Sequence, residues 1–139
     1  MNSHHQVVVI GAGTAGLMVA SQLLSKNPKL DIAVVDPADT HYYQPAWTLV
    51  GANTYDFNKT AKPMADVMPK GVTWVQEHAA TFDPDNNTVT TQEGSVLTYD
   101  YMVVCPGIKI APELIPGLKE AMDAGVVCSN YTNPQHTWE

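Results

Sequence analysis

Three glycines, Gly11, Gly13 and Gly16, stand in the spacing G-x-G-x-x-G between the apolar run QVVVIG and the segment TAGLMVASQLLSK. The run before them is short and rich in β-branched residues, which suits a strand buried on both faces. The segment after them places Leu17, Ala20, Leu23 and Leu24 at helical spacing. KNPKLD then breaks the helix, and DIAVVD supplies a second buried strand that finishes at Asp36. A strand, a helix and a strand within about 30 residues demand a parallel pairing. Gly11 permits the tight turn, Gly13 lets backbone approach a diphosphate, and Gly16 lets the helix pack closely on the strand. Asp36 follows Gly16 by 20 residues (36 − 16). A carboxylate at that point accepts hydrogen bonds from ribose hydroxyls and repels a 2′-phosphate. Glycines, helix and acid together predict an adenine-dinucleotide site.

Charge narrows how such a ligand is held. The chain has 139 residues, enough for one ordinary domain, and 45% of them are hydrophobic against 15% charged. The net charge is −7, and all seven basic residues are lysines. With no arginine to make bidentate contacts, nucleic acid is not expected as a partner, and a bound phosphate must rest mainly on backbone N–H groups. The two cysteines, Cys105 and Cys128, form no CxxC and no paired Cys/His spacing, so no metal site is expected. Cys105 lies in an apolar run and is expected to be a reduced, buried thiol, without a bridge to Cys128. The uncharged stretch from Gln6 to Ser25 has the length of a membrane span. Its three glycines, its change from β-branched to helical pattern and the missing basic lead argue against a span or a signal sequence. A soluble domain is expected.

Farther along, HYYQPAWTLVGA crowds Tyr42, Tyr43 and Trp47 into what reads as a surface loop. TAKPMADVMPKG reads as a short helix bounded by Pro63 and Pro69, and VTWVQE as a third strand. AATFDPDNNTVTTQEGSVLTYD reads as a small antiparallel meander with turns at DPDNN and EG. YMVVCPG returns to a buried strand. From APELIPG onward the chain is punctuated by prolines, and a helical start at TNPQHTWE ends after about one turn. The abrupt end suggests a piece of a longer protein.

A meander after the third strand, followed by an apolar strand closing on glycine, resembles flavoproteins with two dinucleotide-binding domains. Their second shared segment ends in Ala-Thr-Gly, and Cys105, Pro106 and Gly107 stand at those positions here. The resemblance implies a truncated Rossmann-like FAD-binding α/β fold, a parallel sheet with a β-meander insertion, and FAD rather than NAD. HYYQPAWTLVGA itself is similar to the loop of sulfide:quinone oxidoreductases, in particular the group with the mitochondrial enzymes. The likeness continues through KPMADVMPKGVTWV and YDYMVVCPGIKI into SNYT…TWE. It implies cofactor contacts at Gly11, Gly13, Thr14, Ala15, Gly16, Asp36, Pro37, Tyr43, Gln44, Ala79, Pro106 and Gly107. The aromatic rings would shield the flavin from water, although Tyr42 and Trp47 serve equally well as packing. His41 and His78 have no carboxylate or cysteine at a convincing spacing and read as structural, and Lys109 as a solvated lysine.

The same likeness implies a reaction in which hydrosulfide opens a disulfide and electrons pass through the flavin to a quinone. Both redox cysteines would lie beyond residue 139, so no catalytic residue is expected in this chain and the piece alone is expected to be inactive. Cys128 reads as an ordinary thiol, with a secondary part in sulfur handling as the alternative. Residues 1–117 are expected to form the first segment of the FAD-binding domain, and 118–139 the connection into a second domain. The longer protein would meet the membrane surface through its carboxyl-terminal part, and its oligomeric state stays open. A type II NADH dehydrogenase, a ferredoxin reductase and a non-catalytic nucleotide-binding module are the competing readings.

Overall fold

The computed structural model describes residues 2–132 and 134–137. The last residues of the TNPQHTWE segment, Trp138 and Glu139, and its Asn133 lie outside the described residues. Among the described residues, eight strands run over Asn2–Ile10 (β1), Ile32–Val35 (β2), Thr40–Tyr42 (β3), Ala61–Pro63 (β4), Val72–Val75 (β5), Ala79–Asp83 (β6), Thr88–Thr91 (β7) and Val96–Val104 (β8). The α-helices are Thr14–Lys26 (α1), Trp47–Gly51 (α2), Met64–Val67 (α3) and Leu118–Asp123 (α4). Two compact units result: Met1–His41 with Pro63–Gly107, and Tyr42–Lys62 with Ile108–Glu139.

The first unit is an α/β layer structure on a six-stranded sheet of order β5-β2-β1-β8-β7-β6. β5, β2, β1 and β8 are mutually parallel, and β6, β7 and β8 form an antiparallel meander. This is the FAD-binding type of Rossmann-like α/β sheet that the sequence predicts. Val7 and Val9 point to the face covered by α1, where they join Leu17, Ala20, Ile32, Val34 and Met64. Val8 and Ile10 point to the other face and pack with Ala33, Val35, Val89, Leu97 and Tyr99. β2 is buried along its whole length, as a strand between two layers must be. α3 begins directly after Pro63, its N-cap, and buries Met64.

Three sequence expectations need correction here. β1 begins at Asn2, four residues before QVVVIG, because its start pairs with the start of β8. His5 makes that extension possible: Nδ1 meets Asp31 Oδ1 at 2.9 Å and Nε2 meets Ser3 Oγ at 3.1 Å, so a buried imidazole is satisfied at both nitrogens. The meander and the following strand are not separate elements either. β8 runs unbroken from Val96 to Val104, pairing with β7 over its first residues and with β1 over its length. The β1–β8 register skips Gln6 and Asp100, and the residues facing the inner layer change step there, from Leu97 and Tyr99 to Met102. The second half of β8 is consequently not a buried strand: Tyr101 is 73% and Val104 54% exposed.

The second unit is built from short helical turns. HYYQPAWTLVGA is not an open loop: Gln44–Ala46 is a 3-10 turn, opened by Pro45, that feeds α2. Phe57–Thr60 forms another 3-10 turn, capped by the Asp56 carboxylate on the Asn58 N–H. Tyr42, Trp47 and Phe57 pack as a ring cluster with centroids 5.8–6.0 Å apart. Buried Thr60 ties it together by accepting from Trp47 Nε1 and donating to the Phe57 carbonyl. Gly51 faces Asn130 so closely that a Cβ there would collide with its side-chain oxygen. No helix among the described residues is long and apolar enough to cross a membrane.

Candidate functional site

The carboxyl ends of β1, β2 and β8 meet at one edge of the sheet, and the glycine bend lies there. Gly11 leaves β1 at φ +97°, donating to the Val35 carbonyl at 2.9 Å. A Cβ on Gly11 would come within 3.0 Å of the Cys105 carbonyl, since Cys105 is held beside it by donating to Ile10 O. Gly16 is enclosed as tightly, because its Cβ would press into the backbone of Gly11. Gly13 differs from both. Its φ of −69° suits any residue, and nothing lies within 4 Å of the position a Cβ would take.

That open side faces the start of α1. Gly13 is the N-cap, no side chain caps the helix, and the first turn holds no acid. The first intrahelical bond is Leu17 N–H to Gly13 O, so the N–H groups of Thr14, Ala15 and Gly16 precede the ladder. Gly13, Thr14 and Ala15 are exposed. Free donors, the positive end of a 13-residue helix and clear space suit a doubly charged diphosphate. The residues therefore fit a dinucleotide.

Asp36 is held on every side. Its N–H donates to Val75 O, and its carbonyl accepts from Trp74 Nε1 at 2.9 Å. Its carboxylate accepts from Ala12 N–H at 2.6 Å and from Ala38 N–H at 2.8 Å, one on each oxygen. Each oxygen keeps a further acceptor site for a ribose hydroxyl. Pro37 follows in an exposed turn. Ala79 opens β6 half-buried and packs on the cluster of Ile10 and Val35, so it belongs to the same sheet. Pro106 and Gly107 continue from β8, exposed, with Gly107 at φ +73° and open space around it.

The other two candidates, Tyr43 and Gln44, belong to the second unit. Tyr43 donates its N–H to Thr60 O at 2.8 Å, yet its ring is 52% exposed, and Gln44 is exposed as well. Tyr42 and Trp47 serve as packing for Phe57. His41 escaped the sequence reading in one respect: its Nδ1 lies 3.1 Å from the Ala12 carbonyl, a partner 29 residues away that no spacing rule connects.

Cys105 is half-buried rather than buried, because the strand end that carries it is open, and both cysteines are free thiols. Cys128 is exposed and borders a groove of about 400 Å³ in the second unit, together with Lys109, Ile115, Met122 and Val127. A separate polar knot ties the β5–β6 connection to the meander. Glu77 accepts from the Thr91 and Ser95 hydroxyls, and those bonds hold its carboxyl below the ordinary carboxylate range, Thr91 contributing most.

Comparison with known proteins agrees with this fold. The model of the pyridine nucleotide-disulphide oxidoreductase family matches residues 5–138. The mitochondrial sulfide:quinone oxidoreductase of Dictyostelium discoideum is 42% identical over 128 residues, covering 91% of this chain and 28% of the relative. That of Mus musculus is 33% identical over 139 residues, covering 99% of this chain and 31% of the relative. Among solved structures, the sulfide:quinone oxidoreductase of Aquifex aeolicus aligns with a TM-score of 0.68 at 34% identity, over 78% of this chain and 25% of that one. The chain thus spans about a third or less of the relatives it matches.

Proposed function

The chain belongs to the pyridine nucleotide-disulphide oxidoreductase family, and on that premise we propose that it is the FAD-binding portion of a sulfide:quinone oxidoreductase. The observation that carries the proposal is the uncapped, glycine-lined start of α1, with Asp36 fixed beside it. Thr14, Ala15 and Gly16 offer their N–H groups to the diphosphate, and Gly13 leaves room for it. The Asp36 carboxylate takes the adenosine ribose, with Pro37 beside it and Ala79 toward the adenine. Pro106 and Gly107 let the cofactor pass close to the backbone after β8, and the family likeness adds Tyr43 and Gln44 to the cofactor contacts. When bound, FAD supplies the two-electron acceptor between sulfide and quinone. The chain's own residues hold and orient it, while the redox cysteine pair comes from sequence beyond residue 139. Residues 1–117 make the first segment of the FAD-binding domain and 118–139 the passage into the next. In the longer protein, sulfide and a quinone are the reactants, and the quinone is reached at a membrane surface.

Titration of the chain with FAD, followed by flavin fluorescence, tests the cofactor reading. FAD is expected to bind and ADP to compete, whereas NADP is expected to be rejected by Asp36. Failure of both FAD and ADP to bind would refute it. For the longer protein, bleaching of the visible flavin absorbance by sulfide supports the reading. Bleaching by NADH and not by sulfide would move the assignment to an NADH dehydrogenase.

A further inference from the structure

Ala12, the residue between the first two glycines of the bend, is restrained at every group it owns. Its methyl is fully buried in the layer beneath α1. Its N–H donates to Asp36 Oδ2, and its carbonyl faces His41 Nδ1 at 3.1 Å. A carbonyl only accepts, so Nδ1 carries the hydrogen and His41 is the donor. Both side chains come from the single stretch that follows β2, and they grip Ala12 from its two polar ends. Gly11 is fixed by Val35 O and Cys105, but a Cβ on Gly13, on the other side of Ala12, would meet nothing within 4 Å. Gly13 keeps a glycine's backbone freedom, so the Ala12–Gly13 peptide would otherwise sample more conformations before a ligand arrived.

We infer that His41 is a positioning residue for the nucleotide: with Asp36 it clamps Ala12, so that the N–H groups at the start of α1 are aimed at the diphosphate in advance. The inference rests on the dinucleotide reading of the glycine bend. A clamp of this kind strengthens binding by removing disorder that the ligand would otherwise have to suppress. Losing one such hydrogen bond corresponds to a change of about 5-fold in affinity.

The test is FAD and ADP affinity by fluorescence titration and competition for the wild-type chain, His41→Asn and His41→Gln, with a thermal melt of each ligand-free protein. An asparagine amide nitrogen falls near the place of Nδ1, whereas a glutamine amide falls near Nε2. His41→Asn is therefore expected to bind within about 2-fold of wild type, and His41→Gln about 5-fold more weakly. FAD and ADP should weaken by the same factor, because the clamp acts on the diphosphate they share. Because the bond is made before any ligand arrives, the ligand-free melt of His41→Gln should lie no more than about 5 °C below that of His41→Asn, and the split in affinity between the two is the readout that a merely structural histidine would not produce. If wild type binds and His41→Gln matches it, the clamp is refuted while the dinucleotide reading stands. Equal weakening in both variants refutes the clamp too. If wild type binds neither FAD nor ADP, both inferences fall together.

Discussion

The three glycines of the bend are not equivalent, and alanine substitution separates them. At Gly16 the helical backbone tolerates alanine and even favours it by about 1 kcal/mol over glycine. The added Cβ, however, would press within 3.0 Å of the Gly11 carbonyl oxygen. Gly11 cannot retreat, since it is bonded to Val35 O and closed in by Cys105. Overpacking against fixed backbone costs about 3 kcal/mol at the upper end of the usual range, which leaves a net loss of about 2 kcal/mol. At about 3–5 °C per kcal/mol for a chain of this size, Gly16→Ala should melt about 6–10 °C below wild type. Gly13→Ala meets nothing within 4 Å, so only the weaker N-cap preference of alanine is lost, and the ligand-free melt should move by about 2 °C or less. Its Cβ instead enters the space left for the diphosphate, and FAD affinity should fall by at least about 10-fold, or about 1.4 kcal/mol. Differential scanning fluorimetry and FAD titration read the two effects separately. Equal melting losses in both variants, or full FAD affinity in Gly13→Ala, would refute this division of labour.

Phe57→Ala removes the ring that meets both Tyr42 and Trp47 and should cost about 1–3 kcal/mol for the two ring pairs, with loss of near-ultraviolet circular dichroism from Trp47. An unchanged aromatic spectrum would contradict the packing described. Glu77 has its acidity strengthened in the folded state, so its contribution to stability is present above the unfolded carboxylate range. That contribution disappears as pH falls through the lower folded value. Melts of wild type and Glu77→Gln should therefore differ at pH 7 and converge in acid; a constant gap down to pH 3 would be the wrong outcome. Titration with an aromatic disulfide reagent should find Cys128 fast and Cys105 slow in the native chain, with both free of any bridge. Equal rates would contradict the partial burial of Cys105 at the end of β8.

The most legible parts of this protein are those determined by near neighbours. α1 spans Thr14–Lys26, the same 13 residues that helical spacing picks out. β2, α3 and β5 also lie inside the segments that Asp36, Pro63, Pro69 and Gly71 delimit. The less legible parts have distant partners. The early start of β1 needs Asp31 and β8, the unity of β8 needs β1 beneath it, and the order in HYYQPAWTLVGA needs Phe57 and Thr60. Tyr101 and Val104 look like interior residues by type, yet they are exposed, while Met102 and Val103 between them pack on the two layers of the sheet.

By itself, the sequence determined that a glycine bend joins a buried strand to a helix with an acid waiting at the end of the next strand. Turn chemistry and periodicity act over a few residues, and they reach that far without help. Only the tertiary structure decided which glycines are walled in and which faces open space, and that His41 and Asp36 seize the two ends of Ala12. Such contacts depend on how strands far apart in the chain are laid side by side, and hydrogen bonds and collisions between them exist only once that packing is complete.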